Sequence, residues 1–303
     1  MYAAAALLIC AGLLLLGRVA YARLAGYDVD HQLTEADNPA VGTALFGYLG
    51  GLVIVFAALL ATPAVDVGEP ADVAWDLAEL AIYGALAIVL LKLSGWLNDR
   101  LILHRFENKK ELVDDRNVGA GAVLCGSYLA SGLVLAGAFS GRVDPELIDA
   151  TTRAGVLLHE LTVALAFYAL GQVALALYGV LYQAVTPVNV HDAIERDYEA
   201  DGRKHGGNMA AGVAFGGNLA ALGVLLYGGA RIDFTGWGDN LLAFGVVCGV
   251  GFVLLPVWRV FVDRVLLGKA NLDKEIFEDR NVNAALLETI AMIGLAAVIV
   301  LLV

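Results

Sequence analysis

Two ionisable residues, Lys92 and Glu288, stand inside long apolar runs. A charge within a bilayer is costly, so each marks a functional hypothesis whose partner must be named. Lys92 lies about six residues before the end of its run and Glu288 about seven after the start of the last one. At about 1.5 Å per helical residue, both lie near 10 Å deep on the same side of the membrane. They can pair, either as a static ion pair or as an exchangeable proton or cation site, or Lys92 can snorkel to the interface alone. On the other side His159 and Glu160 are adjacent, about 100° apart on a helix, and need not face the same neighbour. His159 titrates near neutral pH if it works as a proton relay; the alternative is a buried, hydrogen-bonded ring. Glu79 lies nearer its own outer boundary, and Asn218 and Gln172 are intramembrane amides suited to interhelical hydrogen bonds.

Enzyme chemistry has little to work with. The chain contains no HExxH, no GxSxG, no P-loop and no dense Asp/His cluster at metal spacing. Cys10, Cys125 and Cys248 all fall in apolar runs, unpaired in spacing and without a neighbouring histidine, and read as small buried hydrophobes. The expectation is a protein that is not an enzyme, with no catalytic residues, no metal site and no cofactor.

The elements that must hold these residues follow from composition. Of 303 residues, 59% are hydrophobic and 17% charged, and the mean hydropathy is +0.74, far from the soluble norm of about 25% charged. At about 20 apolar residues per crossing there is room for about eight helices, whereas unbroken apolar runs argue against a strand barrel. The runs predict helices at residues 2–22, 38–62, 77–98, 117–140, 153–182, 208–229, 240–262 and 281–303. The first run lacks the basic segment that opens a secretory signal and reads as a retained helix.

Fifteen Lys and Arg fall in the connections after the first, third, fifth and seventh helices or at the helix ends beside them, counting Arg18 and Arg259, and three in or beside the other connections, counting Arg153. By the positive-inside rule the first set is cytoplasmic and both termini face outward. Acidic residues follow the same split, so a net charge of −12 leaves no basic surface for nucleic acid.

Self-similarity organises the chain further. DRLILHRFENKKELVDDRNV at 99–118 and DRVLLGKANLDKEIFEDRNV at 263–282 superpose without a gap at a shift of 164. A weaker match at a shift of 170 joins the segment from Asp37 to that from Gly207, and about nine extra residues near DYEADGRKH absorb the difference. Every even helix opens with an Asn, at 38, 117, 208 or 281, followed by small residues. The expected fold is an all-α polytopic membrane bundle of two parallel, pseudo-symmetric four-helix halves, 1–142 and 143–303, related by an axis along the membrane normal.

An acidic segment, an Asn and a small-residue helix, in units of four crossings, resembles the membrane family called domain of unknown function 350, as two tandem copies over nearly the whole chain. The last copy departs from the pattern, since NVNAALLETIA lacks the glycines of the others. The resemblance implies an inner-membrane protein of unassigned activity, from a family often found beside phage-shock-like membrane-stress proteins. It carries over no catalytic residues.

The four Asn suit the capping role, with Asp37, Asp115 and Asp279 beside helix N-termini that favour negative charge; the alternative is a ring of four Asn at the cytoplasmic mouth of a pathway. Glycines such as Gly47, Gly51, Gly119, Gly126, Gly212 and Gly216 let backbones approach closely, making the even helices the expected centre of the bundle. ENKKELVDDRN and NLDKEIFEDRN alternate charge as interfacial helices do. Two functions fit. In the first, the even helices surround a path for ions or small solutes tuned by Lys92, Glu288, His159, Glu160 and Asn218, with a polar cavity between the halves. In the second, the chain is an accessory or sensor whose segments 99–116 and 263–280 dock a soluble cytoplasmic partner or read lipid headgroups through Lys109, Lys110, Glu111 and Lys274, over a dry bundle. The sequence leaves oligomeric state open.

Overall fold

The computed structural model describes residues 2–61, 70–105, 107–148, 152–200 and 203–302. Eight of its helices are long and apolar enough to cross a membrane. They are α1 (Tyr2–Leu24), α3 (Pro39–Ala61), α4 (Pro70–Leu97), α6 (Val118–Ala138), α7 (Arg153–Val185), α9 (Met209–Ala230), α10 (Trp237–Phe261) and α11 (Val282–Leu302). α4 and α10 run on into π-helical turns at Asn98–Ile102 and Val262–Leu267. The connections after the odd spans share one face of the molecule, called its basic face because it holds most of the Lys and Arg, although Asp and Glu outnumber them there.

Each of those connections holds a short helical piece: α2 (Val29–Thr34), α5 (Asn108–Val113), α8 (Val190–Glu195) and a π-helical turn at Lys274–Glu278. Charge alternation predicts only the second and fourth; the structure repeats the piece four times. After each piece the chain turns sharply, and the residue before the capping Asn is left-handed in every case, with φ of 47° at Asp37, 50° at Arg116, 64° at Gly207 and 53° at Arg280. The underlying unit is therefore a two-helix hairpin used four times. Within the inserted DYEADGRKH segment, β1 (Tyr198–Ala200) pairs antiparallel with β2 (Arg203–His205), a short exception to the helical rule.

Hydrophobic burial between helices counts for little in lipid, so close packing and interhelical hydrogen bonds decide the arrangement. α3, α6, α9 and α11 pack in that order as a central row, with the most extensive contact between α6 and α9, the seam between the halves. Glycine makes this contact: a Cβ on Gly126 would stand 2.1 Å from the Gly216 carbonyl oxygen, and one on Gly212 the same distance from that of Gly119. The lost glycines of α11 are explained by its place at the end of the row, where its far side presents Leu286, Ile290 and Val298 outward. α1 and α4 flank α3 and α6, α7 bridges α6 and α9, and α10 lies on α9 and α11.

Candidate functional site

Each even-helix Asn caps its own helix. The side-chain oxygen accepts from the amide of Ala40, Ala120, Ala211 or Asn283, at 3.0–3.1 Å. The side-chain amide does more, because it donates to a carbonyl of the next hairpin: Asn38 to Leu112 at 2.8 Å, Asn117 to Ile194 at 2.8 Å, and Asn208 to Ile276 at 2.9 Å. Asn281, in the last hairpin, donates instead to Glu275 of its own unit at 2.7 Å. The four stand in a row, and the first three are buried in these bonds.

Near the same face, the second half holds a locked ionic cluster. Glu288 of α11 is fully buried, and its Oε1 accepts from Arg259 Nε at 2.9 Å and from Asn218 Nδ2 at 2.8 Å. The other arm of Arg259 donates to Asp273 at 2.6 Å, and its guanidinium lies 5.7 Å from the Tyr182 ring centre. Tyr178 donates to Asn218 Oδ1 at 3.0 Å. A buried guanidinium is tolerable because two carboxylates and an aromatic face surround it.

The expected pair of Lys92 with Glu288 is not formed. Lys92 belongs to α4, which packs on α1, α3 and α6, whereas Glu288 faces α9 and α10 at the other end of the row. The Lys92 ammonium instead sits 4.5 Å from the Tyr21 ring centre and 5.9 Å from that of Tyr48. Tyr21, Tyr48 and Tyr128 cluster there, with the Tyr48 ring centre 5.1 Å from that of Tyr21 and 5.4 Å from that of Tyr128. The partner that sequence reasoning missed is Arg259, which counting basic residues by connection assigns to the interface. A signal existed: the shift of 164 sets Gly95 against Arg259 and Leu124 against Glu288, two departures in the same half.

On the opposite face His159 and Glu160 diverge, as their angular separation requires. Glu160 accepts from Tyr83 of α4 at 3.0 Å. The His159 ring packs 4.9 Å from Phe234 and 6.5 Å from Trp237, and its Nε2 is buried without a hydrogen bond. Glu79, Glu160 and Arg142 line a cavity of about 290 Å³, and buried Asp76 opens onto a neighbouring one of about 60 Å³. Gln172 donates to Ser131 at 3.1 Å, an interhelical bond. Among the described residues no group of three or more His, Cys, Asp or Glu has metal-binding geometry.

The basic face also joins the halves. His191 of α8 meets the Ile102 carbonyl at 2.6 Å, Arg105 lies 3.9 Å from Asp192, and the His104 and His191 rings stand 5.0 Å apart. Burial holds the His191 imidazole below its usual range, and His104 and Arg105 push the same way. Glu111, expected to face a partner, is buried and accepts from Asn117 at 2.7 Å. Burial pushes its carboxyl up, against the pull of that bond. Lys110 and Lys274 remain exposed beside Asp115 and Asp279.

Compared with known proteins, the chain matches a family model described as Domain of Unknown Function (DUF350), once over residues 1–139 and again over 156–303. No curated protein and no solved structure matches it.

Proposed function

The chain belongs to the DUF350 family as two tandem copies, and from that footing we propose that this multi-pass membrane protein is an accessory or sensor rather than a conduit. Its basic face lies toward the cytoplasm and engages a soluble partner or lipid headgroups, presenting Lys109, Lys110 and Lys274 from short helices tied to one another by the Asn row.

One observation carries the reading. A path between the halves would run along α6 and α9, and there backbone lies against backbone, with Gly126 on Gly216 and Gly119 on Gly212. The cavities lined by Asp76, by Lys92, by Arg196 and by Arg142 lie at the flanks of that seam. Glu288, the best intramembrane candidate for a moving proton, is instead fixed by Arg259 and Asn218.

Purified protein in liposomes tests this through proton and monovalent cation flux, with and without Glu288→Gln. Tight vesicles in both cases are expected. Flux that falls in the variant would overturn the proposal in favour of the permeation reading.

A further inference from the structure

The first half contains a cavity of about 320 Å³ near the basic face, lined among others by Tyr21, Tyr27, Lys92, Gly95, Asp99 and Leu124. Its origin can be read from the repeat. The shift of 164 sets Gly95 where the second half has Arg259, and Leu124 where it has Glu288. Lys109, another lining residue, stands where the second half has Asp273. One copy fills this place with a guanidinium and two carboxylates of its own. The other leaves it open, lacks counterparts of Glu288 and Asp273, and keeps two cations, Lys92 and Lys109, with one carboxylate, Asp99, across the space.

The Lys92 ammonium touches aromatic rings and makes no hydrogen bond or ion pair among the described residues. Asp99 faces the same space, with one carboxylate oxygen held by Asn108. The hydroxyls of Tyr21 and Tyr27 meet at 3.5 Å, where either can turn outward as a donor. The rim is apolar and turned toward lipid, with Leu24 at 67% and Trp96 at 51% exposure. The Lys92 ammonium shares this space with Asp99 but makes no ion pair with it, which leaves room for an anion between them. Phosphate is the anion that the headgroup layer of the adjacent leaflet supplies to a lysine reaching toward the interface. Asp99 and the tyrosine faces suit a cation on the far side of that phosphate.

We propose that this cavity binds a phosphate-bearing headgroup that also carries an amine, as in phosphatidylethanolamine, with the phosphate on Lys92 and Lys109, the ammonium on Asp99, and the acyl chains along Leu24 and Trp96. The binding gives the accessory reading a ligand and rests on that reading for its purpose only. Tight vesicles without binding would sink the pocket and spare the reading; binding in vesicles that conduct would do the reverse.

The test uses the full chain in detergent, titrated with phosphatidylethanolamine, phosphatidylglycerol or inorganic phosphate, and followed by native mass spectrometry and by Trp96 quenching with brominated lipid. Expected is one retained phosphatidylethanolamine, at least about tenfold weaker binding in Lys92→Met, and a swing toward phosphatidylglycerol in Asp99→Asn. Leu124→Glu, which installs the carboxylate of the other half, should exclude the lipid. Equal retention by the parent and Lys92→Met would overturn the site as annular lipid. Binding of inorganic phosphate as tight as that of the lipid would overturn the lipid source, and no swing in Asp99→Asn would overturn the amine.

Discussion

In the second half the buried cation is Arg259, met by Glu288, Asp273 and the face of Tyr182. In the first half the cation is Lys92, met by tyrosine rings and bordered by open volume. The two clusters sit at matching places in a duplicated chain, near the same face. A buried ion pair adds little net stability over a well-packed apolar core, yet its halves cannot be separated without large cost. The second copy has spent its polarity on a fixed joint between α9, α10 and α11. The first has kept a cation on α4, with no carboxylate of the described residues at contact distance to neutralise it. Duplication makes this division practicable, since one copy can hold the bundle while the other varies.

The most damaging way to break the comparison is to unpair the locked cluster. Arg259→Met leaves the fully buried Glu288 without its cation and is expected to cost about 3–5 kcal/mol, read by unfolding in mixed detergent micelles. The double variant Arg259→Met with Glu288→Leu should return to within about 1 kcal/mol of the parent. Lys92→Met, in the other half, should move stability much less, because no carboxylate is left stranded at contact distance. Simple addition of the two single costs in the double variant would mean that the pair is not a unit.

A smaller change tests the seam. Gly126→Ala places a methyl group against the Gly216 backbone, which cannot step aside, and overpacking of this kind costs about 1–3 kcal/mol. Gly294→Ala, on the far side of α11 with nothing within 4 Å, should gain about 0.5–1 kcal/mol from helix propensity. Equal effects at the two positions would remove the close backbone contact from the account of the dry seam.

Much of this architecture is legible in the residues alone. Apolar runs give the eight spans to within a few residues at most ends, and the glycines and asparagines mark the even helices as the central row. α4 starts earlier than expected, at Pro70 rather than residue 77, because Asp72 and Asp76 interrupt the apolar run without ending the helix. Pairing is harder to read. Depth along a helix is one-dimensional, so Lys92 and Glu288 share a level without sharing a neighbour, and only the order of helices in the row separates them. Arg259 is hidden by its position near a span end, where an arginine ordinarily reaches water. The fourfold hairpin shows in the sequence only as the Asn that opens each even helix, because the rest of its signature is a backbone angle carried by Asp37, Arg116, Gly207 and Arg280, of which only the two arginines share side-chain chemistry.

The gentlest test concerns the joint through which the two halves are compared at all. His191 of the second half donates from Nε2 to the Ile102 carbonyl of the first, and burial keeps its imidazole below the usual histidine value of about 6.5. The folded form thus binds a proton less readily than the unfolded one. This contribution is fully present above about pH 6.5 and is lost as the pH falls through the lower folded value. The Ile102 carbonyl and Asp192 temper the shift, while His104 and Arg105 reinforce it. Amide exchange at 98–105 and 190–196 should accelerate between about pH 7.5 and about pH 5, after correction for the intrinsic rate, by an amount worth about 1 kcal/mol or less. In His191→Phe that step should vanish while the rest of the basic face exchanges as before. Persistence of the step in the variant would move the pH response to another group and leave the joint indifferent to protonation.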